Sequence, residues 1–215
     1  THVAGSLSNV SGYADNVESG VDAVFDEPFG VAVDISTPGM SSRRLFVADT
    51  KNHVIRSIDL SHPLHSVKLL VGTPATGGHA DSSDPLSAVL TSPYHLAAST
   101  THLYWTEPTT FVVRSFSLSS SIVATVGGTP FVEGSSDGTG SSSGSGTLFD
   151  PRGISLRTED GTVLYVTDSS RHRLRSIDTA TKEVKTITGT SWRNASDSSE
   201  FEHQLYNPGF YDNID

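Results

Sequence analysis

The stretch that decides the fold is Arg43–Leu60, "RRLFVADTKNHVIRSIDL", together with its two echoes "THLYWTEPTTFVVRSFSL" and "TVLYVTDSSRHRLRSIDT". Each holds two strand-length apolar segments around a polar turn, and each ends on an Arg-Ser-aromatic or Arg-Ser-Ile step. Working outward, "DEPFGVAVD" precedes the first copy and "SVKLLVGT" follows it. The second copy is framed by "TSPYHLAAS" and "SIVATVGGT", and the third by "FDPRGISL" and "EVKTITGT". Pro28, Pro93, Pro151 and Pro208 open successive passes, at spacings of 65, 58 and 57 residues. Arg56, Arg114 and Arg175 mark one equivalent point, and Gly72, Gly127 and Gly189 are expected to mark another. Several features in fixed order over three copies define an internal repeat.

Each pass predicts four strands, which in the first are Gly30–Ile35, Leu45–Asp49, Val54–Leu60 and Val67–Val71. Alternation along Val54–Asp59 is imperfect, as expected of a sheet covered on both faces. A glycine after the fourth strand permits the positive φ needed where the chain crosses to the next unit. A four-stranded sheet repeated radially buries its faces against its neighbours, so the expected fold is an all-β propeller.

These residues resemble the NHL family, whose repeats carry a pattern like "FxxPxGIAVD … LYVADxxNHxIRxID … VxTxAG". Phe25–Asp34 and Leu45–Asp59 follow it almost throughout. The third pass keeps Pro151, Gly153, Tyr165, Asp168, His172 and Arg175. The second departs, with His95 for the Gly, Glu107 for the Asp and Phe111 for the His. The resemblance implies blades over 28–72, 93–128 and 151–189, with 1–5 as the last strand of a preceding blade and 207–215 as the first strand of a further one. It implies part of a six-bladed ring, and no particular activity. About three and a half blades do not close such a ring. A piece of a longer protein, two copies completing one ring, and an open or small propeller all stay open, with the ending inside a strand favouring the first.

Composition narrows the function classes. The 215 residues carry a net charge of −10, and the 14 Lys and Arg are scattered rather than gathered in a basic stripe. This acidic protein is therefore not expected to grip nucleic acid. No stretch approaches the ~20 apolar residues of a membrane span. With no cysteine, neither disulfides nor thiol chemistry arise, and the redox compartment is not indicated. Asn9-Val10-Ser11 and Asn194-Ala195-Ser196 match a glycosylation sequon at chance frequency, so secreted and cytoplasmic locations both stay open.

No metal, cofactor or catalytic constellation is expected: HExxH and phosphate-loop signatures are both missing from the sequence. Asp49…His53 and Asp168…His172 look at first like oriented imidazoles. Their recurrence at the same turn favours a structural device, in which Asp accepts turn N–H groups and His packs over the blade. Arg56, Arg114 and Arg175 are likewise expected to brace neighbouring blades through carboxylates such as Asp59 and Asp178. Three Asp/Ser/Gly-rich lead-ins (76–85, 133–146 and 191–200) read as solvated linkers, lacking the spacing of a calcium loop. Tyr104-Trp105 reads as core.

Residues that vary at repeating positions point to recognition. After each marker proline stand Phe29, Tyr94 and Arg152 (and Gly209), and at the turn His53, Phe111 and His172. Exposed aromatics and Arg on a rigid rim are typical anchors. The expected function is a non-enzymatic scaffold that binds a protein or peptide. The alternative is a propeller hydrolase or lyase with a channel metal completed from outside this chain, to which the inner strands offer only His95 and Asp34 as polar ligands.

Overall fold

The computed structural model describes residues 2–8, 10–15, 18–36, 44–61, 63–139, 146–158 and 160–189. The expected strand over 207–215 and the lead-in over 191–200 lie outside the described residues.

The first sheet runs β1 (Pro28–Val33), β2 (Arg44–Asp49), β3 (Val54–Asp59), β4 (Val67–Val71), in that order and antiparallel throughout. The second is β5 (Leu96–Ala98), β6 (His102–Glu107), β7 (Val112–Ser117) and β8 (Val123–Gly127). A short β9 (Gly138–Thr139) lies on the outer edge of the third sheet, after β10 (Pro151–Leu156), β11 (Val163–Asp168), β12 (Arg173–Asp178) and β13 (Glu183–Thr188). Pro28 faces Asp49 and Pro151 faces Asp168, and the register slips by a bulge before Val31 and Ile154. Proline has no N–H for the ladder, so the innermost strand starts irregularly in both blades.

The turns joining the second and third strands end on left-handed residues. His53, Phe111 and His172 have φ of 59°, 63° and 54°. The closing glycines also have positive φ, but one is not where the repeat suggested: Gly72 (106°), Gly128 (83°) and Gly189 (113°) are equivalent. A Cβ there would lie 2.8, 2.2 and 2.2 Å from the carbonyl oxygens of His53, Phe111 and His172. Gly127 is the last residue of β8 and faces Ile177 of the third sheet instead. The doubled glycine made the correct one unreadable from spacing.

Side chains from facing sheets form two continuous cores. Phe46, Ala48, Ile55 and Val71 of the first sheet meet Leu96, Leu103, Trp105, Phe116 and Val123 of the second, with Ala88 and Leu90 of its lead-in. Tyr104, Val113 and Val126 then meet Leu148, Leu164, Val166, Ile177 and Val184. Trp105 and Tyr104 are buried, as expected of core. This is the stacking of propeller blades, with inner strands β1, β5 and β10 side by side.

The other face of the first sheet carries a third cluster, Ala23, Val47, Ile58 and Val67, with Ala4 and Phe25 packed on it. Val31 and Val33 on that face stay 61% and 50% exposed, whereas Leu96, equivalent to Val31, is 8% exposed beneath the first blade. Of residues 1–5, expected as a strand, the described 2–5 form none. Gly5 nevertheless has φ 105° and donates to Gly20 O at 2.9 Å, as Gly72 donates to Pro85 O.

Candidate functional site

Two layers of polar and aromatic side chains lie toward the same end of the blades, one buried and repeated, the other exposed and varied. The buried layer centres on Arg56, Arg114 and Arg175, each fully buried. On β3, Arg56 donates through Nη1 to Asp49 Oδ2 at 3.1 Å and through Nε to Asp15 Oδ1 at 3.1 Å. In the second blade Arg114 reaches Glu107 Oε1 at 3.1 Å and Asp81 Oδ1 at 2.8 Å. In the third, Arg175 reaches Asp168 Oδ2 at 3.2 Å and Asp137 Oδ1 at 3.0 Å. Lead-in carbonyls accept further bonds from each guanidinium (Ala14 and Val24, Ala80 and Val89, Ser136 and Thr147), while Arg175 Nε has no partner among the described residues. A guanidinium offers five donors, which suits it to this divided role.

This corrects the expected pairing with Asp59 and Asp178. Positions 56 and 59 are three apart on one strand, so their side chains leave opposite faces. Asp178 instead accepts the Ala180 and Thr181 N–H groups of the hairpin that follows. Each Arg fastens the lead-in loop to its own blade rather than bracing the next. Asp49 and Asp168 differ from expectation in the same sense. Neither caps its own turn; Asp49 accepts the Asp26 N–H, and Asp168 accepts the N–H groups of Phe149 and Asp150. Burial pushes the Asp49 carboxyl up from the ordinary range, outweighing its donors.

Asp15, Asp81 and Asp137 were missed by sequence reasoning. They share a Gly-x-[Ala/Ser]-Asp motif at Gly12–Asp15, Gly78–Asp81 and Gly134–Asp137. Asp81 also accepts the Thr125 N–H on the outermost strand at 2.8 Å, and Asp137 the Thr186 N–H at 2.9 Å. Ser82 bridges to Val123 and β9 pairs with β13, so the lead-ins cover sheet edges. The described parts of these loops are structural ties, not solvated linkers. Burial beside Asp15 pushes the Tyr13 hydroxyl up to about 12, with the Arg56 guanidinium 4.8 Å from its ring centroid. Burial, with Arg114 nearby, holds the His79 imidazole below its usual range.

The exposed layer gathers three of the six expected rim residues. Phe29 and Tyr94 stack across the first two blades, ring centroids 3.8 Å apart. The Arg152 guanidinium lies 5.3 Å from the Tyr94 centroid, and its Nε donates to both Asp150 oxygens at 3.0 and 2.9 Å. His95 joins the stack, 5.1 Å from Tyr94 and 5.4 Å from Phe29. The close approach depends on Gly30, where a Cβ would lie 2.3 Å from Tyr94 O.

His53, Phe111 and His172 do not join this stack. His53 accepts the Ser92 N–H of the next blade on Nδ1 at 3.0 Å, and Phe111 packs 6.2 Å from Phe149 of the next lead-in. His172 is exposed. Of the two polar groups expected on inner strands, His95 stands just before β5 and lies in the stack, and Asp34 stands just after β1. Asp34 accepts Ser36 N–H and Oγ and pairs with Arg44 at 2.7 Å. Among the described residues no group of three His, Asp or Glu is placed to hold a metal ion.

The chain is a β-propeller. No family model and no curated protein matches it. Solved structures of similar fold include a candidate phosphatase from Bacteroides thetaiotaomicron, 18% identical, covering 69% of this chain and 34% of that one with a TM-score of 0.54. A protein of unknown function from the same organism covers 66% of this chain and 32% of its own at 14% identity and a TM-score of 0.50. The nidogen/laminin complex covers 76% and 49% at 14% identity and a TM-score of 0.50. These likenesses show the propeller fold alone. The propeller described here spans between a third and a half of those chains.

Proposed function

We propose that this propeller is a non-enzymatic scaffold of NHL-type blades, part of a larger ring of about six, that docks a protein or peptide on its aromatic rim. The observation that carries this reading is the Phe29–Tyr94–Arg152 stack. A residue that only packs is expected to be buried, yet Phe29 is 53% exposed while held rigidly against its neighbour. Rigid aromatic and Arg side chains on a fixed backbone give contact area at low entropic cost. A neighbour of similar fold, the nidogen/laminin complex, is itself an assembly of proteins. No membrane-spanning helix is present among the described residues.

The test is selection of peptides from a random display library on the chain, followed by competition with the variants Phe29→Ala and Tyr94→Ala. Binders released by both substitutions support the docking face. Binders indifferent to both, with the variants folded, sink it.

A further inference from the structure

The residue before the left-handed turn residue bonds the carboxylate that ends the second strand in two blades, and not in the third. Asn52 donates to Asp49 Oδ1 at 2.9 Å and to Gly12 O at 2.7 Å. Thr110 donates to Glu107 Oε2 at 3.0 Å. Arg171 occupies the same place but makes no bond to Asp168, which takes backbone donors from both Phe149 and Asp150 instead. The guanidinium of Arg171 lies 4.2 Å from the centroid of the Phe149 ring, exposed to solvent. Among the described residues it has no carboxylate partner. Arg152 repeats the arrangement one strand away, over Tyr94. Both converge on the Phe149-Asp150 step, because Asp150 holds Arg152 and also accepts Ser170 Oγ at 2.9 Å, next to Arg171 in sequence. Asp150 offsets the charge of Arg152, whereas the neighbouring Arg171 keeps a positive charge without a carboxylate partner among the described residues, on an otherwise acidic chain.

We propose that Arg171 and Arg152 form a paired guanidinium seat for the carboxylates of an acidic peptide, whose planar or apolar side chain rests on the exposed Phe29 beside it. The proposal rests on the docking-face reading and adds the chemistry of the partner. The aromatic ring beside each guanidinium limits its orientations in advance, so a bound peptide has less ordering to impose. Charge complementarity selects the partner: the rest of the chain repels acidic groups, and the third-blade end of the rim attracts them.

The experiment is fluorescence anisotropy on the full chain at physiological salt. The probes are a labelled peptide of alternating Glu and Tyr, its counterpart with Gln for Glu, and a thymidine oligonucleotide of equal charge. The acidic peptide is expected to bind about tenfold more tightly than the Gln peptide and to weaken as salt is raised. Arg171→Gln and Arg152→Gln should each remove about fivefold or more, whereas Lys68→Gln on an outer strand should change nothing. Arg171→Lys keeps the charge and loses the stacked plane, and should fall between. Equal binding of both peptides overturns the acidic seat but leaves the docking face standing if Phe29→Ala releases both. Binding indifferent to the Arg variants, or no binding of either peptide, also overturns the seat; the display selection then judges the docking face separately. Tighter binding of the oligonucleotide, lost in the same variants, transfers the seat to nucleic acid and overturns the proposal.

Discussion

The buried Arg layer, on the second and third strands of each blade, and the exposed rim, at the start of the first strand, follow opposite rules. In the layer, chemistry repeats: Arg with a carboxylate at the end of the second strand and an Asp in the lead-in, three times over. On the rim, position repeats while chemistry changes from Phe29 to Tyr94 to Arg152. A group enclosed by protein must be satisfied within each blade, so every blade solves the same problem in the same way. A group facing solvent carries no such obligation and is free to differ.

The comparison is most severely tested by removing one Arg of the buried layer. Arg114→Ala leaves Glu107 fully buried with its ion-pair partner gone, and should cost about 3–5 kcal/mol by urea denaturation. A cost near zero would mean that the layer is not what fastens the lead-in loop. Gly30→Val comes next. Its Cβ would meet Tyr94 O at 2.3 Å, so the two inner strands must separate, at an expected cost of about 1–3 kcal/mol. The same variant should weaken binding at the rim, since the Phe29–Tyr94 stack depends on that approach.

Asp137→Asn is expected to be milder, about 1 kcal/mol, because this carboxylate is half exposed although it ties Arg175 to Thr186. Burial raises the Asp137 pKa, but the Thr186 N–H and hydroxyl and the Arg175 cation outweigh it and leave the group below the ordinary carboxylate range. The unfolded chain therefore takes up the proton first as pH falls. This contribution is complete above about pH 4 and is lost as pH falls through the lower native value. Asp34, lowered overall by Ser36 and Arg44 against the effect of its burial, behaves alike. Asp49, raised by burial, acts in the opposite sense. Acid denaturation curves of the wild type and Asp137→Asn should converge at low pH; parallel curves would show that the Asp137 carboxylate is not responsible.

The smallest effect on stability is expected from Phe29→Ala. It removes one exposed partner of an aromatic pair, about 0.5 kcal/mol, while lowering affinity for selected peptides about tenfold or more. A large loss of stability with unchanged binding would place Phe29 with the buried layer instead.

Much of the blade was legible in one sequence. The strands stand close to where β-branched and aromatic runs put them, and His53, Phe111 and His172 share one left-handed turn position. The lead-in aspartates were not legible, because their separations from the Arg they bind are 41, 33 and 38 residues. A search for fixed spacing passes over them, although Gly-x-[Ala/Ser]-Asp was present as a signal. Gly128 was displaced by its neighbour Gly127 for the opposite reason, an ambiguity of a single residue.

The sequence by itself determined the strand, the turn and their repetition, because these follow from preferences acting over a few residues. The tertiary structure decided which carboxylate meets which guanidinium, and that Phe29, Tyr94 and Arg152 form one continuous surface. Those partners are separated by loops of unequal length or by whole blades, and only the packing of one sheet on the next brings them within contact distance.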